Sequence, residues 1–90
     1  MYKQIVKSET ENEIVLDALI FNSQEIVIKR RLILYTINEL FKTTKNVEKV
    51  HVDDIIQLIA NNIGNKFLMP NKNLKVFLKK NEVTFTKILK

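Results

Sequence analysis

Residues 22–41, NSQEIVIKRRLILYTINELF, constrain this chain more than any other stretch. At 100° per residue Ile26, Val27, Ile33, Leu34, Ile37, Leu40 and Phe41 share one broad arc, which is the pattern of an amphipathic helix with a wide buried face. Arg30 projects into the middle of that arc and Arg31 lies at its edge, so a guanidinium stands where a hydrophobe is cheaper. Asn22 or Ser23 supplies an N-cap, and with Asn22 as cap Glu25 completes a capping box. The helix is expected to run to about Lys42, whose charge suits the helix C-terminus, and to be followed by a polar loop at residues 43–46.

A second helix is expected over residues 52–63. Val52, Ile55, Ile56, Ile59, Ala60 and Ile63 recur at helical spacing, Asp53 and Asp54 fall in the acidic first turn, and Gly64 suits a left-handed ending. Beyond Gly64 the period drops to two. Residues 66–69, 73–79 and 82–88 read as three strands of an antiparallel meander, with turns at Pro70-Asn71-Lys72 and Lys80-Asn81. In the middle strand Leu74, Val76 and Leu78 share one face, while Lys75, Phe77 and Lys79 share the other. Upstream, residues 2–6 are ambiguous and residues 8–13 read as a turn or exposed connection. Ile14 and Val15 suggest a brief strand at residues 13–17, with a short helix over residues 12–20 as the competing reading. The expected fold is therefore α+β, a single domain spanning residues 1–90, with two packed amphipathic helices followed by a three-stranded antiparallel sheet and a short strand ahead of them.

Ninety residues bury only somewhat more than about 60% of the surface the unfolded chain exposes, so the core is modest. The chain is 46% hydrophobic and 28% charged, a globular balance, and no apolar run approaches the roughly 18 residues of a membrane span. No export signal is legible at the N-terminus, and without cysteine there is no disulfide or thiolate site, so a cytoplasmic protein is expected. The net charge of +5 is unevenly placed: residues 64–90 hold seven lysines against one acidic residue, whereas residues 1–23 hold two lysines against four acids. A Lys-rich sheet points to phosphate or another polyanion. The bias toward Lys, Ile and Asn equally fits a chain in which lysine is the default surface residue.

Catalytic machinery is hard to assemble from this inventory. Gly64 is the only glycine, which excludes a glycine-rich phosphate cradle or dinucleotide fingerprint. One histidine and no cysteine exclude a Cys–His pair and a multi-histidine metal site. Asp53 and Asp54 diverge by about 100° on a helix and do not converge on one atom.

Binding residues are easier to name. Arg30 reads as a structural buried charge, its stem packed and its head paired with Asp17, Asp54 or Glu25. Arg31 is the better candidate for a phosphate contact. His51 is either a loop or cap residue donating to nearby backbone or a nucleic-acid contact. Lys66, Lys72, Lys75, Lys79 and Lys80 together can track a phosphate backbone. Phe67, Phe77 and Phe85 can stack bases or fill the core; the K/R-G-F/Y-G/A signature of RNA-binding sheets is missing.

The order EIVIKRRLILYTI, HVDDIIQLI, NKFLMPNKNLKVFLKKNEVTF resembles the segment that follows the catalytic domain in tRNA(Ile)-lysidine synthases. In that family a helix with an RR pair, here Arg30-Arg31, precedes a helix opening H-[VI], here His51-Val52. A small sheet follows, whose first turn is L-x-P-x and a basic residue, loosely matched by Leu68-Met69-Pro70-Asn71-Lys72. The family often has glycine after the proline, where this chain has Asn71-Lys72-Asn73. The likeness covers residues 13–88.

The resemblance implies an accessory domain that extends the tRNA-holding surface of a larger ligase. The parent enzyme uses ATP, with Mg, to activate the wobble cytidine of an isoleucine tRNA, and free lysine then displaces AMP. That chemistry belongs to an upstream catalytic domain with an S-G-G-x-D-S loop, so no catalytic, cofactor or metal residue carries over to this chain. Its implied partners are isoleucine tRNA and the upstream domain of the same protein. Two readings of other classes compete. A purely structural or dimerisation domain makes no nucleic-acid contact, and a DNA-binding module needs an exposed recognition helix that neither expected helix provides.

Overall fold

The computed structural model describes residues 2–42, 47–61 and 66–88. Its frame is one antiparallel sheet of five strands in the order β1-β2-β5-β4-β3. The strands are β1 (Val6–Glu9), β2 (Glu13–Asp17), β3 (Lys66–Asn71), β4 (Leu74–Lys79) and β5 (Glu82–Lys87). Four helical segments accompany them: α1 (Tyr2–Ile5), α2 (Ala18–Asn22), α3 (Ile26–Phe41) and α4 (Lys49–Asn61). The expected layout of two helices followed by a three-stranded sheet is thereby corrected. The last three strands are only part of the sheet, because β2 pairs along β5 and β1 adds to β2.

The register explains how one face becomes the core. Ile14 lies opposite Phe85 and Leu16 opposite Val83, while Val76 and Leu78 on β4 continue the same rows. With Leu74 these side chains are at most 1% exposed. On a pleated strand alternate residues share a face, so this set presents one apolar surface. α2, α3 and α4 cover that surface, contributing Phe21, Ile33, Ile37, Leu40, Val52, Ile55 and Ile59 to a single cluster. Thr36 is the buried polar residue of the layer, and its hydroxyl is satisfied by donating to the Leu32 carbonyl at 2.7 Å.

The start of α3 differs from the expectation. Residues 18–22 form a separate short helix, whose N-cap is Asp17; its carboxylate accepts from the Leu19 and Ile20 amides at 2.9 and 3.1 Å. Ser23 Oγ and Gln24 Nε2 both donate to the Ile20 carbonyl, at 2.7 and 3.1 Å, and so close α2 rather than opening α3. Asn22 is held across the layer, its Nδ2 donating to the Ile59 carbonyl of α4 at 3.0 Å. The expected capping box at Asn22 is thus absent, and α3 begins after Glu25 with no side-chain cap bond. At its other end Lys42 is the C-cap, in left-handed backbone at φ 61°.

The buried stripe of α3 is rotated from the expected arc. Leu32, Ile33, Thr36, Ile37 and Leu40 face the sheet, whereas Ile26, Val27 and Leu34 are exposed. α4 starts about a turn earlier than expected, so Asp53 and Asp54 lie beyond its first turn. The polar loop at 43–46, Ile63 and the helix-ending Gly64 fall outside the described residues. In the β3–β4 hairpin Pro70 and Asn71 belong to the strand, and the turn is Lys72-Asn73. Pro70 is tolerated because β3 is an edge strand with an irregular register between Leu68 and Asn71. The β4–β5 turn, Lys80-Asn81, sets Asn81 at φ 60°, a conformation asparagine accepts better than most residues.

Because Phe85 is fully buried at the centre of the sheet, Phe85→Ala is expected to cost about 3–5 kcal/mol. That is a large share of the roughly 5–15 kcal/mol typical of a whole domain. Urea unfolding followed by circular dichroism checks this as a lowered midpoint.

Candidate nucleic-acid interface

Between Asp54 and Glu82 the chain contains no acidic residue, and within that interval β3 and β4 form a hairpin carrying Lys66, Lys72, Lys75 and Lys79, with Lys80 in the turn that follows. The fold sorts these five. Lys75 and Lys79 alternate with the buried Leu74, Val76 and Leu78, so they lie on the sheet face turned away from the helices. They are four residues apart, about 13 Å along the strand. Lys72 and Lys80 sit in the turns at opposite ends of β4, and both are exposed. Lys66 is opposite Leu78 in register, exposed at the sheet edge.

The same outer face holds two aromatic side chains. Phe67 and Phe77 are directly opposite each other on β3 and β4. Phe67 is 59% exposed and Phe77 half-buried, in contrast to the wholly buried Phe85. Lys75 lies between them, its Nζ 4.9 Å from the centre of the Phe67 ring and 5.8 Å from that of Phe77. Met69 adds an exposed apolar side chain beside the irregular stretch of β3.

Toward β2 the outer face changes character. Thr84 and Thr86 on β5 are followed by Val15 and Glu13 on β2. Glu82 lies opposite both Asp17 and Lys79 in register and pairs with Lys7 at 3.3 Å. The cationic half of the face is therefore the β3–β4 hairpin.

Arg30, Arg31 and His51 stand apart from it, on the helical layer. Arg30 is not the buried charge expected from the sequence. Its side chain is 40% exposed, and Nε meets Asp53 Oδ1 at 3.3 Å, not Asp17, Asp54 or Glu25. The rotation of α3 moves Arg30 from the middle of the buried stripe to its border, where a guanidinium keeps contact with water. Arg31 is exposed on the same helix. His51 lies in the first turn of α4, and its Nδ1 accepts from the Glu48 amide at 3.4 Å, the reverse of the expected donation. The structure thus brings Lys75 and Lys79 together with Phe67 and Phe77, and separates Arg31 and His51 from them by the thickness of the sheet.

Clefts also indent the surface formed by the described residues. One of about 240 Å³ lies between α3 and α4 and is lined by Arg30, Leu34, Val47, Glu48, Lys49 and Val52. Another, about 400 Å³, mixes Glu9, Glu11 and Glu39 with Lys42 and Lys87, so its charges largely compensate. Among the described residues no group of three or more His, Cys, Asp or Glu side chains is arranged to hold a metal ion. No helix among them is long and apolar enough to cross a membrane. No protein-family model, curated protein or solved structure significantly matches the chain.

The pairing of Phe67 with Phe77 escapes a reading of the sequence because it depends on strand register. The available signal was the alternation of Phe77 with buried residues on β4, which places that ring outside but not beside another.

Since the Arg30 and Asp53 side chains are 40% and 43% exposed, a double-mutant cycle with Arg30→Ala and Asp53→Ala is expected to give a coupling of only about 0.2–1 kcal/mol, shrinking further in high salt. Chemical unfolding at two salt concentrations measures it.

Proposed function

We propose that this chain is an RNA-holding accessory domain of a tRNA(Ile)-lysidine synthase-like enzyme. The observation that carries the reading is the β3–β4 hairpin, which bears four lysines and no acidic side chain and is followed by Lys80 in the next turn. A surface of that kind attracts a phosphate backbone through release of its counterions, without needing a base-specific contact.

The element order supports the same reading. The Arg30-Arg31 pair lies on α3, His51-Val52 lies within the first turn of α4 rather than opening it, and Leu68-Met69-Pro70 lies in β3 just before a hairpin turn, close to the arrangement on which the likeness to the lysidine synthases rests. On this reading the parent is a cytoplasmic ligase for tRNA modification. Its upstream catalytic domain supplies the ATP-, Mg- and lysine-dependent chemistry on isoleucine tRNA. This domain contributes anchorage alone, lowering the freedom of the bound tRNA so that the wobble cytidine stays in the distant site.

A second reading is favoured by the exposed Ile26, Val27 and Leu34 on α3, which give the helical layer an apolar strip. On that reading the domain braces the catalytic domain and touches no RNA.

Binding of the 90-residue chain to isoleucine tRNA, followed by fluorescence anisotropy, separates the two. For three to five phosphate contacts, affinity is expected to fall about 20- to 500-fold between 50 and 200 mM salt. Combined Lys75→Glu and Lys79→Glu changes are expected to weaken it further at any one salt concentration. Salt-independent binding, or none at 50 mM, counts against RNA anchorage and favours the bracing role; full affinity in the charge-reversed variant counts against the hairpin lysines as the anchoring surface.

A further inference from the structure

We propose that the outer face of the β3–β4 hairpin is a site for unpaired RNA, with two neighbouring bases stacked on Phe67 and Phe77 and the backbone phosphates met by Lys75 and Lys79. The proposal deepens the RNA-holding reading and rests on it. It specifies which part of a folded RNA the domain takes, a single-stranded stretch rather than a duplex.

Three features converge on that ligand. Large apolar side chains are usually withdrawn from water, yet Phe67 is 59% exposed on a strand whose other face is available for burial. The register sets Phe77 directly across from it. Adjacent strands are about 4.8 Å apart, so the two rings offer neighbouring platforms to consecutive splayed bases. The charges nearest the rings are cationic, with Lys75 over both and Lys79 next along β4 from Phe77; the acidic residue at the border of this patch, Glu82 across from Lys79, is paired with Lys7. Aromatic faces interleaved with cations match a ligand that is itself a polyanion with flat apolar faces. In a duplex those faces are already stacked and unavailable.

Lys75 does not block the site. An exposed ammonium over an aromatic ring contributes about 0.5–1 kcal/mol. A stacked base contributes about 1–3 kcal/mol, so the exchange favours the base. The flexible stem of Lys75 then carries the ammonium to the phosphate linking the two bases.

A second copy of this chain is the less favoured occupant. Edge pairing through β3 is blunted by Pro70, which lacks an amide hydrogen, and by the irregular register between Leu68 and Asn71. Two such hairpins also bring like charges together.

The test uses the 90-residue chain and fluorescein-labelled RNA: a ten-nucleotide oligouridine, a perfect duplex, and isoleucine tRNA. The wild type is expected to prefer the single strand. In the double variant Phe67→Leu, Phe77→Leu, its affinity for the single strand is expected to fall about 30-fold, the lower end of the range for two stacked bases, with the salt slope unchanged because no charge is lost. Lys75→Gln with Lys79→Gln is expected instead to lower the slope by about 1.4. A measurement on the unaltered protein guards against misfolded variants: 2-aminopurine within the single strand is expected to change its fluorescence at saturation.

Wild-type affinity in the phenylalanine variant, or no 2-aminopurine response, overturns the stacking site; salt-sensitive tRNA binding in the same samples leaves the RNA-holding reading standing. No binding of any RNA overturns both. A dimer in sedimentation that the phenylalanine variant abolishes, without change in RNA affinity, assigns the face to self-association and overturns the proposal.

Discussion

The pairing of β2 with β5 is the constraint on which the rest of the molecule depends. It joins residues near the two ends of the described chain, with Glu13 opposite Thr86 and Asp17 opposite Glu82. Closing a loop of that length has an entropic cost that grows only slowly with the number of residues enclosed, and burial repays it locally. Ile14 meets Phe85 and Leu16 meets Val83, all at most 1% exposed. Further backbone hydrogen bonds flank the ladder, from Ala18 to the Asn81 carbonyl and from Lys87 to the Asn12 carbonyl. With that seam closed, α2, α3 and α4 emerge from β2 and return to β3 across one face, and among the described residues no helix covers the other face.

An open face is permissible for an antiparallel sheet provided its outward residues can live in water. Threonine and charged residues satisfy this on β2 and β5, where Thr84, Thr86, Glu13 and Glu82 alternate with core residues. On β3 and β4 the same positions hold Phe67 and Phe77. The lysines beside them keep that surface hydrated and cover the rings in part, since Lys75 lies within 6 Å of both ring centres. The lysines thus shield part of the apolar surface that the aromatic pair presents to solvent.

Local periodicity made much of the secondary structure legible, and long-range pairing was what it lacked. The alternation of Leu74, Val76 and Leu78 is a local property and reads directly as a strand with one buried face. The brief strand at Glu13–Asp17 is marked by β-branched residues. β1 was missed because Val6–Glu9 is an exposed edge with no apolar alternation to display. The break between α2 and α3 was missed because it is made by side chains, Asp17, Ser23 and Gln24, that bond to backbone and override a continuous helical pattern. Arg30 was misjudged because the apparent arc took in apolar residues that α3 leaves in water. Ile26, Val27 and Leu34 lie within α3 but are exposed, and counting them as buried shifted the apparent centre of the buried stripe onto Arg30.

The lysines of the last third were countable from the sequence, but their grouping was not. Two of them share a face with two aromatic rings only because β3 pairs with β4 in one register. A shift of a single residue moves Phe67 to the helix side and removes it from Phe77. The turn at Lys80-Asn81 helps fix β4 against β5, with Asn81 in left-handed backbone that a β-branched residue resists. Acidic and basic side chains are thereby divided along the outer face. Glu13, Asp17 and Glu82 lie toward β2, where Lys7 pairs with Glu82, and the lysines of the outer face lie toward β3 and β4, with Lys79 at the border across from Glu82. A polyanion approaching this face is repelled from one half and drawn to the other. On the RNA-holding reading proposed above, this division favours a backbone lying along the hairpin, over the aromatic pair, rather than across the sheet.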